Sequence, residues 1–306
     1  MIELPQPVAV VCHDAGAANI ILAELQADPA CRVLPVIQGP ALKLWQALRR
    51  GKPVLDLDNA LDQARSLLSG TGWASDLEHR ARQGARARGL PSAAVIDHWV
   101  NYEARFEREG RVVLPGEIWV TDDDALALAG RTFPGLPVRR RDNLYLQAQA
   151  EAITQAGAEQ PGRVLYLLEP IRFSWPGLAQ AGEFEALDFL AAHLNKLGAS
   201  QPVQLRLRPH PSDAPGKYDA WLAAHPQLAA TLDDSPTLAA AIAAAQWVVG
   251  CETAALPVAL GAGKKAASTL PPAAPRCRLP HQGLLHLRDL PGMSWPAAAP
   301  APPAGR

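Results

Sequence analysis

His13-Asp14-Ala15-Gly16-Ala17-Ala18-Asn19 sets an imidazole, a carboxylate and a run of small residues between an apolar stretch and a helical pattern. A carboxylate beside an imidazole at a strand end suits a general base, and small residues let a ligand approach the backbone. The structural alternative is that Asp14 caps the helix and His13 is its oriented partner. The stretch is not GxGxxG, so the dinucleotide fingerprint is absent. Two further stretches should line the same sheet edge. Asp97-His98-Trp99 places a carboxylate, an imidazole and a stacking surface in consecutive positions, and Gly70-Thr71-Gly72-Trp73 precedes a helix. Asp14, His13 and Asp97 are the candidate bases. Gly16, Asn19, Thr71, Gly72, His98 and Trp99 are candidates for the lining of a ligand cleft, with Trp99 equally able to be core.

Arg206-Leu207-Arg208-Pro209-His210-Pro211-Ser212 ends another strand, where Pro209 stops the ladder before His210. A histidine there can hydrogen-bond a phosphate or protonate a leaving oxygen. His225-Pro226 is the same dipeptide after a helix end, where it acts as a stop, so only the strand-end context singles out His210 and Pro211. Gly250-Cys251-Glu252-Thr253-Ala254 joins a strand to a helix, and Ser235-Pro236-Thr237 starts the helix before it. Free N–H groups at helix starts attract anions. The hydroxyls of Thr253 and Ser235 suit phosphate and Glu252 suits a sugar hydroxyl, while ordinary capping explains Ser235 equally well. Lys264-Lys265 reads as a solvated turn, and Glu103, Arg105, Glu107 and Arg108 read as a charged surface.

The elements that must position these residues follow the order of a parallel α/β sheet. Strand Val8–Cys12, helix 17–26, strand 32–37 and helix 41–50 come first. Ser75-Asp76-Leu77-Glu78 is a capping box opening a helix to about Arg88, followed by strands 92–96 and 117–120. Asp122-Asp123-Asp124 reads as the cap of the next short helix rather than a metal-binding pair. After a connection at 157–162 the alternation restarts, with strands 164–168, 203–207 and 247–250, helices between them, and a last strand at 284–287. The expectation is an α/β chain of two Rossmann-like doubly wound domains facing a cleft: 1–156, 157–290 and a Pro/Ala-rich tail at 291–306.

Composition bounds the function. At 306 residues the chain has room for two domains with real cores. A net charge of −1 offers no basic surface, so nucleic acid is not the expected partner. No apolar run reaches the roughly 20 residues of a membrane span, which leaves peripheral membrane contact open. Met1 to Pro7 does not read as a signal peptide. The four cysteines are far apart with no CxxC spacing, so neither a zinc site nor a disulfide framework is expected, and the location expected is the cytoplasm.

From Val164 to Ser268 the sequence resembles the donor domain of GT-B glycosyltransferases: Leu205 to Pro211, then Ser235, then Val248-Val249-Gly250, a capped helix and Ala259-Leu260-Gly261-Ala262-Gly263-Lys264. Its His-Pro after a strand is similar to the motif of bacterial sialyltransferases and related capsule-sugar transferases. The resemblance implies that His210 contacts a donor phosphate and that Thr253 does likewise. It departs at Glu252, where a Ser is common, and the acidic base motif of sialyltransferases is not recognisable. The UDP-sugar 2-epimerases share the fold, but their early Gly-Thr-Arg-Pro-Glu stretch is missing. The function implied is metal-independent and cofactor-free glycosyl transfer. A nucleotide-sugar, with a CMP-linked nonulosonate as one candidate, would pass its sugar to a hydroxyl of a glycan or glycoconjugate. The alternatives are a nucleotide-sugar epimerase or hydrolase on the same fold, and a non-catalytic nucleotide-sugar binder.

Overall fold

Val8–Cys12 is apolar at all five positions and buried at all five, the signature of a parallel strand covered on both faces. It forms β1 of a computed structural model that describes residues 2–48, 53–72 and 74–291. The chain divides into two units between Tyr145 and Leu146.

In the first unit β1 is followed by α1 (Ala15–Ala27), β2 (Val33–Ile37), α2 (Gly39–Leu48), α3 (Leu57–Gln63), β3 (Ser66–Ser69), α4 (Leu77–Ala87) and β4 (Ser92–Val95). A small antiparallel hairpin, β5 (Glu107–Arg108) and β6 (Arg111–Val112), precedes β7 (Glu117–Val120), α5 (Asp123–Thr132) and β8 (Val138–Arg140). The sheet is wholly parallel in the order β2-β1-β3-β4-β7-β8. Its core packs Ile21, Leu25 and Trp45 on one face and Leu61, Leu67 and Leu77 on the other. The Ala-rich start of α1 lets it approach β3 closely: a Cβ on Gly70 would lie 3.1 Å from that of Ala17.

The second unit begins with α6 (Leu144–Gln155), which crosses the division in its first turn. The division thus falls ahead of the connection read from the sequence at 157–162, and Leu146 packs where a Cβ on Gly261 would meet it at 3.3 Å. Then follow β9 (Arg163–Leu167), α7 (Gly182–His193), β10 (Gln204–Arg208), α8 (Asp219–Ala224), β11 (Ala230–Leu232) and α9 (Leu238–Ala244). The unit closes with β12 (Trp247–Gly250), α10 (Ala255–Gly261), β13 (Lys265–Ser268) and β14 (Leu284–His286). This sheet is also parallel throughout, in the order β11-β10-β9-β12-β13-β14. Both units are thus Rossmann-like α/β folds with six-stranded sheets. Most of the expected Pro/Ala tail, like Trp73, falls outside the described residues.

Two local expectations change. Lys264 is not a solvated lysine: its ammonium donates to the carbonyls of Ala243 and Ala245 at the end of α9, where a cation meets the negative end of the helix. Ser75 does accept from the N–H of Leu77, but Glu78 does not close a capping box, because it turns inward to the end of β1.

Candidate functional site

In an open α/β sheet, ligands bind beyond the carboxyl ends of the strands, where the order of strands reverses. In the first unit that point lies between β1 and β3. Asp14 precedes α1 but makes no capping hydrogen bond with its side chain. Its Oδ1 instead meets His13 Nδ1 at 2.7 Å, with side-chain exposures of 29% and 21%. The structural alternative of a capping Asp14 is therefore set aside. The pair is a carboxylate–imidazole dyad open to solvent.

Three glycines carry the side chains of this edge. A Cβ on Gly72 would lie 2.2 Å from Asp14 Oδ2, one on Gly39 2.5 Å from His13 Nε2, and one on Gly16 1.7 Å from Asp97 Oδ2. Any larger residue would expel the group it supports. Gly16 and Gly72 therefore serve as seats for the two carboxylates.

Glu78 Oε1 accepts the backbone N–H of His13 at 2.7 Å, which fixes the turn that presents the dyad. Burial raises the pKa of its carboxyl, with Asp14 adding to the rise and the His13 N–H opposing it.

Arg105 is the largest departure from expectation. Instead of standing on a charged surface it is buried, and its Nη1 donates to Asp97 Oδ1 at 2.8 Å and to Thr71 Oγ1 at 3.2 Å. Its Nε donates to the carbonyl of Val100. Asp97 is thus an ion-paired carboxylate resting on the first turn of α1. Thr71, fully buried, donates to the carbonyl of Val95 and serves Arg105, so it cannot reach a ligand. Trp99 is buried as well, with Nε1 donating to Asp122 Oδ2 at 2.8 Å, so it is core and not a stacking surface. His98 accepts the Trp99 N–H at Nδ1, and Asn19 is half-buried in α1. No local spacing announces Arg105. Its partners come from the segments that follow β3 and β4.

The second unit holds an open pocket of about 530 Å³ at the carboxyl ends of its strands. Leu167 and Leu168 form its apolar floor, Arg208 to Pro211 one wall, Asp233 to Ser235 another, and Thr253 with Ala255 a third. The expected donor residues His210, Pro211, Ser235 and Thr253 are therefore brought together here. Arg208, noted only for its place in the strand, joins them. Its guanidinium is held by Asp233, which Arg163 and the hydroxyl of Ser235 also engage. Against its burial, hydrogen bonds from Ser235 and Arg208 hold the Asp233 carboxyl below its ordinary pKa. Ser235 is not the cap of α9. Thr237 is, accepting the N–H of Ala240.

The other expected anion site is already filled. Glu169, just beyond β9, points its carboxylate at the loop after β12. Oε1 accepts the N–H of Cys251 at 2.6 Å and that of Glu252 at 2.9 Å, and Thr253 adds a third backbone donor. Enclosure pushes this carboxyl up to a pKa of about 7, against those three N–H groups, which pull it down. Glu252 is likewise engaged, in an ion pair with Arg278, and is not among the lining residues of the pocket. The carboxylate expected to meet a sugar hydroxyl thus has Arg278 as its partner in this structure. Thr253 stays at the pocket, with Oγ1 accepting the Ala255 N–H at 3.2 Å.

Among the described residues no group of three or more His, Cys, Asp and Glu is arranged to hold a metal ion, and no helix is long and apolar enough to cross a membrane. All four cysteines are free thiols.

No known protein family and no curated protein matches the sequence. Solved structures do match in fold. UDP-GlcNAc 2-epimerase from Neisseria meningitidis bound to UDP-GlcNAc has a TM-score of 0.55 at 12% identity, over 85% of this chain and 81% of that one. A putative UDP-N-acetylglucosamine 2-epimerase from Listeria monocytogenes gives 0.57 at 12% identity, over 85% and 78%. The E. coli ADP-heptose LPS heptosyltransferase II gives 0.40 at 12% identity, over 88% and 86%. What the two epimerase structures share with this chain at such identities is the fold alone, two Rossmann-like α/β units.

Proposed function

We propose that this chain is a glycosyltransferase that takes a sugar from a nucleotide-sugar donor and passes it to a hydroxyl acceptor, a glycan or glycoconjugate. The observation that carries the reading is the second unit's pocket. It gathers a guanidinium, an imidazole and two hydroxyls over an apolar floor, beside the carboxylates of Asp234 and of Asp233, which holds the guanidinium; the donors suit the phosphate of a nucleotide and the carboxylates its hydroxyls.

In this reading His210 and Arg208 face the donor phosphate, and Ser235 and Thr253 offer hydroxyls to the nucleotide. In the first unit Asp14, oriented by His13, takes the proton of the acceptor hydroxyl. The acceptor oxygen bonds to the anomeric carbon as the bond from that carbon to the phosphate oxygen breaks. The departing nucleotide keeps the electron pair, and Arg208 with the hydrogen-bond donors of the pocket stabilises its charge. The reading calls for no metal and no cofactor beyond the nucleotide-sugar, and Asp122 is committed to Trp99 and to its helix cap. It places the protein in the cytoplasm, where free thiols stay reduced.

Because the fold is shared with UDP-GlcNAc 2-epimerases, the rival reading is conversion of a nucleotide-sugar without an acceptor. A third is binding without turnover. The deciding experiment is a thermal-shift screen against CMP, UDP, GDP, TDP and NAD, since a ligand of the folded state raises the melting temperature. One nucleotide should raise it, and His210→Ala should abolish the rise. No rise with any nucleotide overturns the reading. The matching nucleotide-sugar is then assayed with and without acceptor, with a CMP-linked nonulosonate first if CMP is the ligand. Product without acceptor favours the epimerase or hydrolase. Asp14→Asn should cut transfer by roughly 10²–10⁴-fold while donor binding persists. Unchanged transfer removes Asp14 from the mechanism.

A further inference from the structure

His210 stands on a turn that is more constrained than its exposure suggests. Its backbone N–H donates to Asp213 Oδ2 at 3.1 Å, and the N–H of Asp213 donates back to the His210 carbonyl at 2.8 Å. The Asp213 side chain is fully buried. It also takes the hydroxyl of Tyr218 and the ammonium of Lys217, which reaches Glu183 as well. Burial alone would raise the pKa of this carboxyl, but the donors from Lys217, Tyr218 and His210 hold it below its ordinary value. The backbone of His210 is therefore tied to an ionised pedestal.

The ring is tied separately. Its Nδ1 lies 2.8 Å from Ser212 Oγ and 3.2 Å from the backbone nitrogen of Ser212. Arg172 Nη2 donates to Ser212 Oγ at 3.1 Å. A backbone N–H and a guanidinium N–H can only donate. Because the backbone N–H of Ser212 makes Nδ1 an acceptor, the rotatable Ser212 hydroxyl, its oxygen accepting from Arg172, can approach Nδ1 only with its proton. Both Ser212 groups then point hydrogen at Nδ1, which must accept.

We infer that Ser212, backed by Arg172, is a positioning residue that locks neutral His210 as the Nε2–H tautomer, making it a hydrogen-bond donor at the pocket. In a neutral imidazole one nitrogen donates and the other accepts, so an accepting Nδ1 leaves the proton on Nε2. A donor at that position matches an oxyanion and cannot take a proton from a hydroxyl. His210 thus serves the phosphate oxygen and not the acceptor. The identity of that oxyanion as a nucleotide phosphate rests on the function proposed above. The tautomer does not.

The test reads the ring nitrogens of the ligand-free full-length protein by long-range ¹H–¹⁵N NMR, with His210→Gln identifying the signal. At a pH where the ring is neutral, the expected result is protonated Nε2 and unprotonated Nδ1. Ser212→Ala, a surface change that should leave the fold intact, is expected to let the Nδ1–H form appear, and Ser212→Thr should restore the wild-type pattern. A dominant Nδ1–H tautomer in the wild type, or a Ser212→Ala spectrum identical to it, overturns the inference. Titration with CMP adds the functional arm: Ser212→Ala should weaken binding by about tenfold, the effect of losing one hydrogen bond to a binding group. If the expected tautomer is seen but neither CMP nor any other nucleotide binds, the proposed function fails while the tautomer lock stands.

Discussion

In the first unit the strand order reverses between β1 and β3, and the groups at that reversal, Asp14 and His13, are paired with each other and open to solvent. In the second unit the reversal lies between β9 and β12, and there Glu169 lays its carboxylate across the N–H groups of Cys251 and Glu252. The same sheet logic thus leaves the dyad of one crevice open to solvent and fills the other with a side chain of the protein. The pocket of the second unit lies towards β10 and β11 instead, where Arg208 and His210 supply the donors. A doubly wound sheet fixes where a ligand can bind, but single side chains decide which strand ends stay available.

The first unit's strand-end site depends most on the seat of Asp97. Gly16 lies in the first turn of α1, where Ala would ordinarily improve the helix by about 1 kcal/mol. A Cβ there would sit 1.7 Å from Asp97 Oδ2, which is paired with buried Arg105. Gly16→Ala should therefore destabilise the first unit, by roughly 3 kcal/mol if the displaced carboxylate leaves Arg105 buried without its partner. Gly130→Ala, in α5 with open space around it, should stabilise by a fraction of a kcal/mol to about 1. Urea unfolding of both variants decides the matter. A stable Gly16→Ala protein would show that the Asp97–Arg105 pair is not rigid.

The filled crevice makes a prediction about pH. Glu169 has a folded-state pKa of about 7, above the model-compound value of 4.5. A carboxyl whose pKa is raised by folding binds more protons folded than unfolded across that window. Stability from this group is therefore full below pH 4.5 and falls as pH rises through 7, by up to roughly 3 kcal/mol. Glu169→Gln removes the slope. The difference between wild-type and Glu169→Gln stability should change with that sign between pH 4.5 and 7.5 in denaturant titrations. A flat difference would mean that the carboxylate stays ionised and that the three N–H groups outweigh its enclosure.

Much of the architecture was legible because the runs that carry it are apolar and long enough: Val8–Cys12, Glu117–Val120 and Trp247–Gly250 all form strands as read. Ser66–Ser69 went unread although it is central to its sheet and as long as Glu117–Val120, because two of its four residues are serines and only Leu67 and Leu68 are apolar. Lys265–Ser268 escaped for a similar reason, being opened by a lysine, closed by a serine and carrying only two alanines between them. At the sites, strand ends were enough to single out Asp14, Asp97 and His210. They could not reveal what holds them. Arg105 reaches Asp97 and Thr71, Glu169 reaches Cys251 from 82 residues away, and Glu78 reaches His13 from 65. Such pairs join distant parts of the chain, and no local periodicity encodes them. Ser212 and Asp213 are the exception: His210-Pro211-Ser212-Asp213 is a compact turn, in which the residue two places on pins the ring and the residue three places on pins the backbone N–H.

The smallest effects compare one helix cap from each unit. Asp122 Oδ1 accepts the Ala125 N–H at the start of α5, while its Oδ2 accepts Trp99 Nε1. Thr237 accepts only the Ala240 N–H at the start of α9, with an exposed side-chain bond. Loss of a cap costs about 1 kcal/mol. Asp122→Ala also strands a buried indole N–H, which adds about 1–3 kcal/mol. Asp122→Ala should thus cost at least twice as much as Thr237→Ala in urea unfolding. Asp122→Ser, which keeps a cap but is too short to hold both partners, should fall between wild type and Asp122→Ala. Equal costs for the two alanine variants would mean that water satisfies Trp99 once Asp122 is gone, and the segment after β4 would then be less tightly closed than the bonds of Arg105 and Trp99 imply.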